Sequence, residues 1–254
     1  MLRNLFASAV LLISIACVPS SLSAQTVTFS TNVGDVVINL FPQEAPISVN
    51  NFLGYVNRGD YDGTIIHRSV RDFVVQGGSF LTDGSSITTQ PAIQNEFGRS
   101  NRRRTVAFAR QGGVVNSATS SFFVNLENSN NFLDEVDEGF SVFGEVISGM
   151  EVVDAINDLE IVNAGGAFSE LPVLPTFSDN FIDLEDLVII TSSTVGPPFV
   201  LGDANGDGVV DFLDIGPFVG VLSSGSFLNE ADIDRSGSVD FLDLSPFIAI
   251  LAGP

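Results

Sequence analysis

Ile66-His67-Arg68-Ser69-Val70-Arg71-Asp72-Phe73-Val74-Val75-Gln76-Gly77-Gly78-Ser79-Phe80 constrains this chain more than any other segment. It sets a guanidinium, an aromatic ring and a primary amide close together beside a Gly-Gly pair. Arginine is always charged and offers a rigid fork of donors. Glutamine offers a donor and an acceptor, and phenylalanine an apolar wall. The glycines let backbone bend or come close to another group. Chemistry alone reads this as a pocket that holds an extended peptide. The competing reading is an antiparallel strand whose arginine is merely solvated.

Composition sets the class. Eleven Pro and 24 Gly, spread among alternating Val, Ile and Phe, favour many short strands over long helices, so the chain is expected to be mainly β. A hydrophobic fraction of 44% suffices for a core, and a length of 254 allows one or two domains. All ten basic residues are Arg, and the formal charge is −21. That charge argues against nucleic acid, whose phosphates need a basic surface, and favours solubility and cation binding.

Residues 1–24 read as a secretion signal. Arg3 supplies the positive start, Leu5 to Val18 the apolar core, and Ser21-Leu22-Ser23-Ala24 the small residues at the cleavage point. The run is too short and wrongly flanked to span a membrane. Cleavage after Ala24 removes the one Cys, Cys17, so stability outside the cell cannot rest on disulfides. A lipoprotein cut before Cys17 is the competing reading. Either way the expected location is secreted, periplasmic or at the cell surface.

Further motifs accompany the opening segment in order. They are Ala45-Pro46-Ile47-Ser48-Val49-Asn50-Asn51-Phe52-Leu53, Tyr61-Asp62-Gly63-Thr64, Thr105-Val106-Ala107-Phe108-Ala109-Arg110, Ser117-Ala118-Thr119-Ser120-Ser121-Phe122-Phe123-Val124-Asn125-Leu126, Asn131-Phe132-Leu133-Asp134 and Val142-Phe143-Gly144-Glu145-Val146. With the His-Arg, turn, Phe-x-x-Gln-Gly-Gly signature, this series resembles the cyclophilin family of peptidyl-prolyl isomerases. The resemblance implies a closed eight-stranded antiparallel β-barrel over residues 25–195, capped by helices at 45–58 and 148–159.

The same resemblance implies a site. Arg68, Phe73, Gln76 and Phe123 would be catalytic. Val74, the backbone around Ala109 and Arg110, and Phe132, Leu133 and Phe140 would bind proline-containing polypeptides, with no cofactor. Ser121 stands where the family commonly has Gln. His67, the only His, reads as a structural residue, and Arg102-Arg103-Arg104 as a solvated basic loop or a clamp on the chain's own acidic surface. A non-catalytic binding or scaffold protein on the same fold is the alternative function.

The other end carries an internal repeat. Asp203-Ala204-Asn205-Gly206-Asp207-Gly208-Val209-Val210-Asp211-Phe212-Leu213-Asp214 returns 29 residues later as Asp232-Ile233-Asp234-Arg235-Ser236-Gly237-Ser238-Val239-Asp240-Phe241-Leu242-Asp243. Oxygen ligands fall at loop positions 1, 3, 5, 9 and 12, with Gly at 6, the spacing of a calcium loop. Position 7 donates a backbone carbonyl, so Val209 and Ser238 fit. The expected ligands of two calcium ions are Asp203, Asn205, Asp207, Val209, Asp211 and Asp214, and then Asp232, Asp234, Ser236, Ser238, Asp240 and Asp243.

Gly196-Pro197-Pro198 forbids a helix before the first loop and reads as a linker over 196–198. Residues 199–254 are thus a pair of half EF-hands, which resembles the type I dockerin family and implies a small α-helical domain with a cohesin-like partner. Two helices packed in a calcium-held domain without any partner is the competing reading. Pro217 and Pro246 place the helices at 217–222 and 246–251, since proline is favoured at a first helical position. The passage from Asn163 to Asp186 reads as an ordered surface excursion before a last strand, Leu187 to Val195.

Overall fold

The computed structural model describes residues 25–178, 181–234, 236 and 238–252. The expected signal segment, with Cys17, lies outside the described residues. The strands are β1 (Thr26–Thr31), β2 (Gly34–Leu40), β3 (Thr64–Ile65), β4 (Arg68–Val70), β5 (Val74–Gly77), β6 (Thr105–Phe108), β7 (Phe122–Asn125), β8 (Val142–Ser148), β9 (Glu160–Val162), β10 (Leu171–Val173) and β11 (Ile189–Gly196). The α-helices are α1 (Pro46–Arg58), α2 (Met150–Asn157), α3 (Ile215–Ser224) and α4 (Phe241–Ala252).

Nine strands form one curled antiparallel sheet in the order β3-β11-β1-β2-β8-β6-β7-β5-β4, and β9 and β10 form a separate hairpin. The closed eight-stranded barrel is therefore corrected: the ladder has nine strands and is open between β3 and β4. Only Ile66-His67 separates those two strands, which pair on opposite sides, β3 with β11 and β4 with β5. Single hydrogen bonds tie the end of β3 and the stretch between them to the residue before β11 and to β5 and the residues after it. Ile65 N donates to Phe80 O at 2.9 Å, Ile66 N to Val188 O at 3.0 Å and His67 N to Gln76 O at 3.2 Å.

Alternation along the strands decides what each side chain faces, because successive residues point to opposite faces. Phe122, Val75 and Val124 join the interior with Phe29, Phe52, Tyr61 and Phe143. Their neighbours Phe123 and Val74 instead join Phe41, Leu133 and Val142 in a second cluster on the outer face. Burying one such side chain stabilises by roughly 1.5–3 kcal/mol. The two barrel helices match expectation closely. Pro46 occupies the first turn of α1, and Gly59 ends it in the left-handed conformation. Gly149 (φ +83) precedes α2, and a Cβ there would lie 2.1 Å from the Asp35 carbonyl.

Two sequence readings are decided or corrected locally. Arg103 donates to Leu126 O at 2.7 Å and to Asp154 at 2.6 Å, and Arg104 donates to Val146 O at 2.9 Å. For those two arginines the clamp is the reading that holds: Arg103 binds acidic Asp154, and both bond main-chain carbonyls of or beside the strands. The C-terminal helices also start earlier than their prolines. Pro217 is the third residue of α3 and Pro246 lies inside α4. Phe218 and Phe247, each just after its proline, stack at 4.1 Å with an interplanar angle of 8° and are fully buried. Pro217, in the first turn of α3, forfeits no helical hydrogen bond, whereas Pro246 lies within α4.

Candidate active site

Arg68, Phe73, Val74, Gln76, Ala109, Arg110, Phe123, Leu133 and Phe140 line one pocket of about 220 Å³. Nine of the ten residues expected in the isomerase site thus meet in space. The tenth, Phe132, stacks on Phe73 with centroids 5.7 Å apart. Strand register brings the others together. Arg68 on β4 is opposite Gln76 on β5, and Gln76 is opposite Phe123 on β7. The polar pair and the aromatic wall are therefore fixed by three adjacent strands. Gly78 follows at φ +79, where a Cβ would sit 2.8 Å from Ser120 O, so only glycine lets β5 lie this close to the segment before β7.

The polar side of the pocket is a chain of hydrogen bonds. Arg68 Nε donates to Glu170 Oε2 at 2.6 Å, and Arg68 Nη1 donates to Gln76 Oε1 at 3.3 Å. Gln76 Nε2 in turn donates to Ser121 Oγ at 3.1 Å, and Ser121 Oγ donates to Gly77 O at 3.3 Å. Ser121 thus anchors Gln76.

The apolar side is held from beneath. Phe73 follows a turn in which Asp72 has φ 57, a left-handed conformation that aspartate tolerates better than most residues. Asn130 Nδ2 donates to Phe73 O at 2.7 Å and to Asn125 Oδ1 at 2.8 Å. Asp134 accepts from Asn101 N at 2.8 Å, Asn101 Nδ2 at 3.0 Å and the Ser100 hydroxyl. Asn101, Asn125 and Asn130 are all buried, so the 3-10 turn Asn128–Asp134 that carries Phe132 and Leu133 is tied down by a satisfied polar network. Sequence reading quoted Asn125 within a motif without giving it a role, and did not single out Asn101 or Asn130. Only Asn125, a polar residue closing the apolar run Phe122-Phe123-Val124, carried a cue in the sequence.

Arg110 contributes structure. Its guanidinium donates to the carbonyls of Val115, Asp137 and Gly139 at 3.0–3.1 Å and lies 4.3 Å from the centre of the Phe140 ring. Burial pulls its pKa below the usual arginine value. Ala109 N bonds Ser121 O at 2.8 Å, which keeps this backbone at the pocket edge. His67 is buried against Phe80 at 5.0 Å, and burial, with Arg68 beside it, lowers its pKa to about 4. It is uncharged at neutral pH and is not among the residues that line the pocket.

The C-terminal loops are symmetric in detail. Asp214 Oδ1 and Oδ2 accept from Asn205 N at 3.0 Å and Asp211 N at 2.8 Å. Asp243 Oδ1 and Oδ2 accept from Asp234 N at 3.0 Å and Asp240 N at 2.9 Å. Asp203 accepts from Gly206 N, Asp207 N and Gly208 N, and Asp232 from Ser236 N. Asp203, Asp214, Asp232 and Asp243 are buried, and oxygens of Asp232, Asp234 and Asp243 lie within 4.8 Å of one another. Asp207, Val209, Asp211, Ser238 and Asp240 stand at the loop rims: Val209 N donates to Asp207 Oδ1, and Ser238 Oγ to Asp240 Oδ2 at 3.5 Å. Among the described residues, no helix is long and apolar enough to cross a membrane.

A curled antiparallel sheet bearing a guanidinium, an amide and an apolar pocket on its outer face defines a peptide-binding isomerase. No nucleophile is paired with a base in this pocket, and rotating an amide requires none. The comparisons carry this to a family. Residues 26–174 match the family described as cyclophilin type peptidyl-prolyl cis-trans isomerase/CLD. Peptidyl-prolyl cis-trans isomerase A of Dickeya dadantii is 39% identical over 182 residues, covering 69% of this chain and 94% of its own. Peptidyl-prolyl cis-trans isomerase B of Escherichia coli is 42% identical over 146 residues, covering 55% of this chain and 88% of its own. A crystal structure of a cyclophilin type isomerase from Cryptosporidium parvum, in the presence of the dipeptide Ala-Pro, superposes with TM-score 0.51 at 21% identity. It covers 68% of this chain and 99% of that one, and supports the fold. The chain belongs to the cyclophilin-type peptidyl-prolyl cis-trans isomerases, and the scaffold alternative is not favoured.

Proposed function

We propose that Arg68 is the group that accelerates X-Pro isomerisation in this chain, and that the enzyme is exported and tethered by a calcium-dependent docking module. Rotation about an X-Pro amide crosses a barrier of about 18–20 kcal/mol because of partial double-bond character. The twisted transition state loses conjugation and leaves a lone pair on the prolyl nitrogen. A fixed guanidinium donor beside that nitrogen favours the twisted state over the planar one. Phe73, Phe123 and Leu133 wall the proline ring, with Val74 and Phe140 extending the apolar surface. Gln76 and the backbone at Ala109 and Arg110 grip the flanking peptide.

The observation that carries this reading is the placement of Arg68 and the three apolar walls around one pocket, with Gln76 hydrogen-bonded to Arg68. The Ala-Pro dipeptide with the Cryptosporidium relative supports proline-containing ligands. In the tail, Asp203, Asn205, Asp207, the Val209 carbonyl, Asp211 and Asp214 would hold one calcium, and Asp232, Asp234, Ser236, the Ser238 carbonyl, Asp240 and Asp243 a second. Hard carboxylate oxygens buried at matching loop positions support that reading. The exposed Phe212-Leu213 and Phe241-Leu242 offer an apolar face to a cohesin-like partner. The decisive experiment is prolyl isomerisation of a short peptide by the purified chain. Arg68→Ala should slow turnover at least tenfold, about 1.4 kcal/mol of barrier, with the fold intact; equal rates refute the role.

A further inference from the structure

The strongest feature that neither the motif nor the family assigns is the partner of Arg68. Glu170 lies in the excursion between the two helices' ends and the last strand, far from the signature in sequence. Its Oε2 accepts from Arg68 Nε at 2.6 Å. Its main-chain carbonyl also accepts from Ser69 N at 2.8 Å, so the residue is fastened to β4 twice, at adjacent positions. Directly after it, Leu171 and Val173 are buried among Ile65 and Leu187, and β10 pairs with β9. The carboxylate is therefore delivered by an anchored strand rather than by a free loop.

We propose that Glu170 is the positioning residue for Arg68. This rests on the reading of Arg68 as the catalytic group. A guanidinium on a long side chain can rotate about its last bonds. Binding at Nε to Glu170 and at Nη1 to Gln76 fixes the plane of the fork at two points, and among the described residues Nη2 has no hydrogen-bond partner, which leaves it to the peptide. Arg68 is about one-third exposed and Glu170 slightly more so, so the pair adds little stability of its own. Its effect lies in orientation, which acts on rate.

The test is a two-residue cycle in the full chain, measured as kcat and KM on a short X-Pro peptide. Glu170→Ala should lower kcat about fivefold, leave KM within about twofold, and leave the melting temperature unchanged. Glu170→Gln, whose amide oxygen can still accept from Nε, should recover most of the loss. In an Arg68→Ala background, Glu170→Ala should change nothing further, because a residue acting through Arg68 has no effect once that group is gone. A wild-type or raised kcat in Glu170→Ala, a loss confined to KM, or an additive loss in the double variant overturns the positioning role. A slow Arg68→Ala beside a fast Glu170→Ala brings down only Glu170. A fast Arg68→Ala brings down the Arg68 reading and this one with it.

Discussion

Asn130 donates one side-chain amide to the carbonyl of Phe73, 57 residues away, at 2.7 Å. The wall of the pocket is thereby tied to the turn that carries Phe132 and Leu133. Asn130 is buried and also bonds Asn125, so the contact cannot be replaced by water without rearrangement. Asn130→Ala should destabilise the protein by about 1–3 kcal/mol, the range for stranding buried partners. It should raise KM more than it lowers kcat, since the wall contacts ground and transition states alike. Denaturant midpoints and steady-state rates check both; an unchanged KM would show that Phe73 holds its place without Asn130.

His67 gives the fold a pH dependence. Its pKa falls from 6.5 unfolded to about 4 folded, because burial and the Arg68 charge disfavour the imidazolium. Its Nδ1 has no partner among the described residues. Below pH 6.5 the unfolded chain binds the extra proton, so stability is full above that pH and falls as pH drops toward 4. The loss is on the order of 3 kcal/mol at 1.36 kcal/mol per unit. Melting curves of wild type and His67→Phe between pH 7 and 4 should diverge in slope; parallel curves contradict the shift.

The proposal that the two loops bind calcium predicts a stoichiometry. Calorimetric titration of the full chain should give two calcium ions, and Asp214→Ala should leave one. Four carboxylates per first loop repel one another, so metal should raise the melting temperature of this segment, as any ligand of the folded state does. A chelator should leave the isomerase rate as it was. No heat on calcium addition refutes the site.

Phe218 and Phe247 hold the two repeats together at 4.1 Å. Phe218→Ala should destabilise the C-terminal segment by about 3–5 kcal/mol, the usual range for removing a buried ring. Weaker calcium binding at both loops is the readout. An affinity equal to wild type would mean the loops fold without this contact.

Much of the site was legible in the sequence. The His-Arg, turn, Phe-x-x-Gln-Gly-Gly run fixed the Arg68–Gln76 pairing because adjacent antiparallel strands impose it. Strand alternation likewise separates Phe122, in the interior, from Phe123, in the pocket. The offset repeat likewise placed Asp214 and Asp243 at equivalent positions. Local period and spacing decide such features, and both are written along the chain.

Tertiary structure alone decided the rest. Glu170 reaches Arg68 across 102 residues, a distance in sequence that no motif spans. Sequence left Arg103 and Arg104 open between a solvated loop and a clamp until Leu126 and Val146 supplied carbonyls for them. The helices of the repeat begin before their prolines, and Phe218 and Phe247, just after them, stack in the shared core. Each of these outcomes depends on which segments meet in space, and long-range packing outweighs local preference wherever buried area or a satisfied polar group is at stake.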